Sequence, residues 1–450
     1  MVRTFKSLKC FFQDLKNESL NNKAFIAILL VLISIPLSNV LNNVFLLVLL
    51  LFSFVFSKKQ FFKITTVLSL PIILYLIMFF SIFWTINRNE TLTALIKELP
   101  LLIVPLSFIF YQELSKEQKQ KIIGFYSYFI AGLAVYYILR AVIRYVLFHD
   151  LRAFFYHGEE NNDFGLVPKL LNAIHVSVFA AVALFYFISK EVKSRLDIFY
   201  SIILILFIIL LSSKNIILVV FFLILINVFF FSKIAHKMRL RNIIVFGIFL
   251  IVVLSIGKIY QKLQVELKNN TQKSINPSVL EVIPKGVHFV SIKQAWTNTT
   301  FNQNDFFPGT AFRVYQFRIF LEMLDDDAIF WKGYGLNASY QKIEAKGLKY
   351  HIYLGNGISE GYQKKNFHNQ YIQNFAELGL FGFLLLIIML FINFKNAYKS
   401  KDFVHFAFAF LMISLFLTES FLWRQRGVVF FTMMYCLFNS GINANRSKAE

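Results

Sequence analysis

Apolar residues in this chain come in blocks close to the ~20 needed to cross the hydrocarbon core of a bilayer. The blocks recur near 24–38, 39–57, 65–83, 96–112, 122–147, 171–189, 197–213, 215–232, 242–260, 376–394, 403–421 and 428–441. Hydrocarbon offers no partner to an exposed peptide group, so a chain written this way must fold as helices that satisfy their own backbone. The spacing predicts an all-α membrane protein of about twelve transmembrane helices. Composition agrees: 57% of residues are hydrophobic and 16% charged, with mean hydropathy +0.60, well beyond a soluble domain. The 56 Phe and 20 Tyr suit a lipid-facing surface with aromatic ends.

The formal net charge of +21 invites a nucleic-acid partner, but the location of the charges argues against one. With the N-terminus in the cytoplasm, 23 Lys and Arg fall in the inner segments. Only Arg88, Arg152, Lys169, Lys214, Arg424 and Arg426 fall in the short outer loops. The cations therefore read as topology signals, with both termini cytoplasmic. The basic N-terminus followed by residues 24–38 reads as an uncleaved first helix, because no small-residue cleavage site follows. Cys10 and Cys436 have no partner in an oxidising loop, so no disulfide framework is implied.

One segment breaks the pattern of short loops. It divides the chain into residues 1–260 with nine spans, a loop over 261–375, and 376–450 with three spans and a cytoplasmic tail. Topology puts this loop in the periplasm, and loops of such length are commonly functional. Within it, Phe312, Tyr315, Ile319, Phe320 and Met323 repeat at helical spacing over 311–324, which predicts an amphipathic helix. Asp325, Asp326 and Asp327 follow, then a Gly333-Tyr334-Gly335 turn. The triple aspartate reads as a solvated helix end, since no further metal-ligating residue stands beside it. No metal and no cofactor are expected.

The loop ends in His368-Asn369, nine residues, then Gly379-Leu380-Phe381-Gly382. This arrangement is similar to the signature of O-antigen ligases and the related O-unit polymerases. Ser81–Leu92, Arg313 through Gly335, and Glu419–Phe431 resemble further segments of that superfamily, in the same order. The resemblance implies a metal-independent, inverting glycosyltransferase of the bacterial inner membrane, with its active site facing the periplasm. It would take a glycan from an undecaprenyl-diphosphate carrier and pass it to a lipid A–core sugar (ligase) or to another carrier-linked unit (polymerase). Relatives often carry an arginine where this chain has Lys214 after Ser212-Ser213. Lysine keeps the charge and loses the bidentate fork.

The chemistry points to the same residues. Displacing a sugar from a diphosphate needs cations where charge develops and a base for the acceptor hydroxyl. His368 is the candidate base, since an ordinary histidine titrates near neutral pH, and Arg313 the candidate catalytic cation. Lys214, Arg140, Arg144 and Arg424 are further candidates for the diphosphate or glycan. Asn369 would orient the imidazole or the acceptor. Glu419, at the outer end of a span, is expected to pair with Arg424. His175, inside the sixth span, reads as a packing residue or a donor to the substrate groove. Arg140 and Arg144 also fit as interface anchors. A lipid-linked glycan flippase or other transporter would instead concentrate ionisable groups near the bilayer midplane. A non-catalytic scaffold would leave the clustered motifs unexplained.

Overall fold

The computed structural model of the chain describes residues 13–57, 64–111, 113–155, 165–168, 170–231, 247, 288–355 and 361–441. Apart from Gly247, the expected span near 242–260 lies outside them, as do Cys10, Lys169, the tail beyond 441 and the loop residues 261–287. The first half holds α1 (Lys23–Ser34), α2 (Asn39–Val55), α3 (Thr66–Phe80), α4 (Arg88–Glu98), α5 (Pro100–Phe110) and α6 (Lys116–Phe148). Next come α7 (Ala173–Ser189), α8 (Arg195–Leu210) and α9 (Lys214–Ile226). The loop carries α10 (Ile292–Thr297), α11 (Gly309–Asp326) and α12 (Ser339–Lys349). The chain closes with α13 (Gln370–Ser400), α14 (Phe403–Phe416) and α15 (Gln425–Asn439).

A helix lies at each expected span position that falls among the described residues. Among the described residues five helical segments are long and apolar enough to cross a membrane: Thr66–Phe83, Arg88–Phe110, Lys116–Phe148, Lys214–Phe231 and Gln370–Ser400. Shorter apolar helices stand at Lys23–Ser34, Asn39–Val55, Ala173–Ser189 and Phe403–Phe416. The span expected over 96–112 falls mainly on α5, which α4 precedes within the segment Arg88–Phe110. Asn87 caps α4, and Pro100 opens α5 at the first helical position, where its missing N–H costs nothing. Helices α7 and α15 are buried on nearly every face, which makes them the centre of the bundle.

The loop has its own apolar core. The face expected on the amphipathic helix is the buried one: Phe312, Tyr315, Ile319, Phe320 and Met323 of α11 pack with Phe301, Phe307, Ile343, Ile352 and Phe367. Strands β1 (His288–Phe289) and β2 (Asp305–Phe306) pair in parallel, His288 opposite Asp305. The aspartates at the end of α11 are not simply solvated. Lys346 reaches Asp326 at 2.8 Å, Lys342 reaches Asp327 at 2.9 Å, and the Tyr334 hydroxyl donates to Asp327 at 2.6 Å. These ties lock α12 against α11.

What joins the loop to the bundle is a break in α13. Gly379 sits at φ +66°, ψ −162° inside it, so a short helix runs to Leu378 and a long apolar one follows. A break at this depth leaves peptide groups that need partners. The loop supplies them: the N–H groups of Tyr334 and Gly335 donate to the carbonyls of Ala376 (2.9 Å) and Glu377 (2.8 Å), and the Leu380 N–H donates to the Phe330 carbonyl (2.8 Å). The segment after α3 joins the same seam. Its Ile86 N–H donates to the Tyr334 carbonyl, the Trp84 indole to the Lys332 carbonyl, and Ser81 accepts from the Leu336 N–H. A β-carbon at Gly379 would collide with the Trp331 carbonyl, one at Gly333 with the Glu377 backbone, and one at Gly335 with Thr85. Three of the four segments that carry the family resemblance thus meet at one backbone seam.

Gly379→Ala should therefore be costly. The left-handed backbone alone penalises a β-carbon by about 1–3 kcal/mol, before the collision with Trp331. Gly132→Ala, on an exposed helical position with open space around it, should be neutral or mildly stabilising. Thermal unfolding of the two purified variants checks this, and equal midpoints would contradict the seam's importance.

Candidate active site

The short first half of α13 positions the motif histidine. Asn369 caps that helix, its side chain accepting the Ile372 N–H at 3.1 Å. Just before the cap, His368 sits in the left-handed region at φ +47°. Its N–H donates to the Asn366 side chain at 3.0 Å, a local turn of the kind asparagine makes with the backbone two residues on. The imidazole packs edge-on against Phe312 of α11 with centroids 5.8 Å apart. Loop core and membrane helix therefore hold it jointly.

Opposite stands the turn after α14. Three side chains from the loop side converge on it, each on a different residue. His368 Nδ1 lies 3.4 Å from Glu419 Oε2. The Arg313 fork donates through Nε (3.1 Å) and Nη2 (2.8 Å) to the Thr418 carbonyl, and through Nη1 to the Gly309 carbonyl. Asn369 Nδ2 donates to the Leu417 carbonyl at 3.1 Å. A fourth tie comes from α9, where Asn215 donates to Thr418 Oγ1 (2.8 Å) and to the Ser414 carbonyl (3.1 Å). Leu417 through Glu419 is thus the meeting point of α9, α11, α13 and α14. The His368 side chain is 29% exposed and that of Glu419 only 7%, so the ring faces open space and the carboxylate stands behind it.

A groove of about 400 Å³ opens beside this turn, a volume typical of ligand pockets. Arg313 and Asn369 line it together with Tyr371, Ile372, Phe383 and Ile387. The last two belong to the apolar half of α13 beyond the Gly379 break, so one groove joins polar groups of the turn to a lipid-facing helix. Under the turn, the first helix of α13 forms a polar ladder. Gln370 accepts the Leu422 N–H at 2.8 Å, and Gln373 reaches Glu377, Ser339, Ser420 and the Phe367 N–H.

Burial pushes the Glu419 carboxyl up, but the His368 hydrogen bond and the electrostatic influence of His368, His175 and Arg313 outweigh it and hold it below the ordinary carboxylate range. Burial lowers the Arg313 guanidinium from its usual value while Glu419 opposes the shift; an arginine stays charged regardless. Burial also drives the Tyr340 hydroxyl far upward, so it remains a donor. A depressed carboxylate stabilises the fold above its unfolded pKa of about 4.3 and loses that contribution as pH falls through the folded value. Glu419→Gln should therefore lower the unfolding midpoint at neutral pH, by the equivalent of about 1.5–3 kcal/mol for a charge-assisted hydrogen bond. The gap to the native protein should close only below about pH 4.3. A gap that does not change with pH would exclude an ionised Glu419.

The remaining candidates separate into groups. Lys214 is exposed at the start of α9, one residue before Asn215, which brings the α8–α9 hairpin to the 417–419 turn. Arg140 and Arg144 go elsewhere: both reach the Gly165 carbonyl, at 3.1 and 3.4 Å, and Arg140 lies over the Tyr137 ring. Arg426 belongs with the bundle, donating to the carbonyls of Ile35 and Leu170. The expected Glu419–Arg424 pair does not form. Glu419 turns to His368, because Arg424 caps α15 from the exposed side of the hairpin. Among the described residues the Arg424 guanidinium makes no hydrogen bond or ion pair. His175 is a packing residue, buried and stacked on Phe421 at 4.3 Å, with neither ring nitrogen hydrogen-bonded. Sequence reasoning missed Asn215, Thr418 and Gln373, which carry no motif signal. It also missed Asn366, whose place two residues before His368 is readable as a turn former.

Among known protein families, residues 199–387 match the one described as O-Antigen ligase. No curated protein matches the chain. The matched stretch runs from α8 to the apolar half of α13, and so contains Lys214, Asn215, Arg313, His368, Asn369 and the Gly379 break. That family acts on lipid-linked glycans in a membrane with glycosyltransferase-type chemistry. Over residues 199–387 the chain carries the O-antigen ligase domain, which supports the resemblance to the O-antigen ligase/polymerase superfamily.

Proposed function

We propose that the protein transfers a glycan from an undecaprenyl-diphosphate carrier to an acceptor sugar at the periplasmic face of the bacterial inner membrane, as an O-antigen ligase with a lipid A–core acceptor. The observation that carries this reading is the convergence of Arg313, His368 and Asn369 on residues 417–419 beside a groove that continues onto a lipid-facing helix. Such a groove suits a donor whose one end is a charged diphosphate and whose other end is a hydrocarbon chain.

In this mechanism the Nδ1–H of His368 donates a hydrogen bond to the Glu419 carboxylate, which fixes the tautomer whose Nε2 lone pair is directed at open space. The acceptor hydroxyl gives its proton to Nε2 while its oxygen attacks the anomeric carbon. The bond to the carrier phosphate breaks, and the electron pair leaves with the diphosphate. One displacement inverts the anomeric centre. Cations stabilise the charge that builds on the leaving group. Arg424 and Lys214, exposed on the flanking hairpins, are the readiest to meet it. Arg313 serves by fixing the turn and by its remaining N–H donors. Arg140 and Arg144 sit on a separate part of the outer face and act on the diphosphate or glycan only where a substrate spans both. No step needs a metal ion.

Polymerisation is the second reading, and the same groove accommodates it, since the acceptor then carries the same lipid. Purified protein given a carrier-linked glycan and either core lipid or a second carrier-linked unit separates the two by the lipid found on the product. In that assay His368→Ala should remain folded and lose about 10²–10⁴-fold in turnover, the usual loss for a general base. Asn369→Ala should be milder. Arg313→Lys should recover only part of what Arg313→Ala loses, because an ammonium cannot reproduce the fork on the Thr418 carbonyl. Near-normal turnover of His368→Ala would end the general-base role.

A further inference from the structure

The backbone seam at Gly379 presents a patch of aromatic side chains that the transfer chemistry does not use. Trp331 is 61% exposed, Phe381 57% and Phe83 80%, and Phe80 and Phe330 are exposed beside them. The rings fall into two groups on adjoining segments. Trp331 contacts Phe381 and Phe330, with centroids 6.0 and 5.1 Å apart, and Phe80 stacks on Phe83 at 6.4 Å. The Trp84 indole donates to the Lys332 carbonyl and ties the two halves together. In water such a patch would be unfavourable, and contiguous exposed apolar surface marks an interaction site.

We propose that residues 330–332 of the loop seat in the lipid bilayer, at the boundary between headgroups and hydrocarbon on the loop's side of the membrane. Continuity identifies the occupant. Phe381 is two residues past the break in α13, and below it Leu384, Ile388 and Phe391 are exposed along a helix long and apolar enough to span. On α3 the exposed Phe79 and Phe80 likewise lead into Phe83. Lipid that covers those faces extends without interruption over Trp331. The residue types fit that depth, since indole and phenyl rings collect at the interface. The exposed Lys332 side chain makes no hydrogen bond or ion pair among the described residues, and its stem is long enough to carry the ammonium up to lipid phosphate. The wedge fixes the height of the loop, because the backbone bonds at Gly379 make Trp331 and the start of the spanning helix one unit.

The test uses the full chain reconstituted in phospholipid bilayers, comparing the native protein with Trp331→Phe so that the difference in emission belongs to Trp331. That difference should be strongly quenched by lipids brominated high on the acyl chain, weakly by lipids brominated near its end, and hardly at all by aqueous iodide. Quenching by iodide in preference to brominated lipid, or by neither, would overturn the proposal. Neither outcome touches the transferase reading, which rests on other residues.

Discussion

The structure depends on a helix that is broken where a continuous one would be cheaper. At Gly379 the chain leaves peptide N–H and C=O groups of α13 without helical partners, and the loop segment 330–335 takes them up. In or near hydrocarbon each such group would otherwise cost several kcal/mol. The loop is therefore held to the bundle by backbone hydrogen bonds that any substitution preserving the backbone leaves intact. Glycine is required on both sides of the seam, at Gly333 and Gly335 as well as Gly379, because the backbone segments approach too closely for a β-carbon. The nine residues between His368-Asn369 and Gly379 are the length of short helix that separates its cap from its break.

From that constraint follows the geometry above it. The short helix delivers Asn369 and His368 to the turn after α14, and α11, held by its own aromatic core, delivers Arg313 to the same turn. The arrangement has an electrostatic logic. Glu419 is buried, and a buried carboxylate without partners would be protonated; the histidine and the arginine keep it ionised. An ionised Glu419 in turn fixes which imidazole nitrogen holds the proton. The Arg313 fork is committed to the Thr418 carbonyl, so on the proposed mechanism it acts chiefly by fixing the turn.

Much of this was legible in the sequence, and the reasons differ by feature. Span positions follow from hydrocarbon thickness, and the face of α11 from helical periodicity, so both were readable from apolar spacing alone. His368 and Asn369 were readable through a motif. The division of α4 from α5 was not, because the apolar window runs on past Leu99, although Pro100 marks the point. The partner of Glu419 was misread: Arg424 is five residues away in sequence, His368 fifty-one, and only the fold shows that the nearer cation faces outward. Asn215 and Gln373 contact the site through single amide groups, which leave no periodic or compositional trace. Arg140 and Arg144, equally plausible as phosphate ligands by charge, both reach the Gly165 carbonyl, a contact that charge alone does not announce.

On the proposed mechanism Glu419 acts only through His368, and the two form a unit built on one turn. A double-mutant cycle on transfer by purified protein measures this directly, comparing His368→Ala, Glu419→Gln and the two combined. If the pair is one device, the double variant is no slower than His368→Ala alone, because the carboxylate has nothing left to orient. If the two losses multiply in full, Glu419 serves the reaction independently of His368 and the two are not one device.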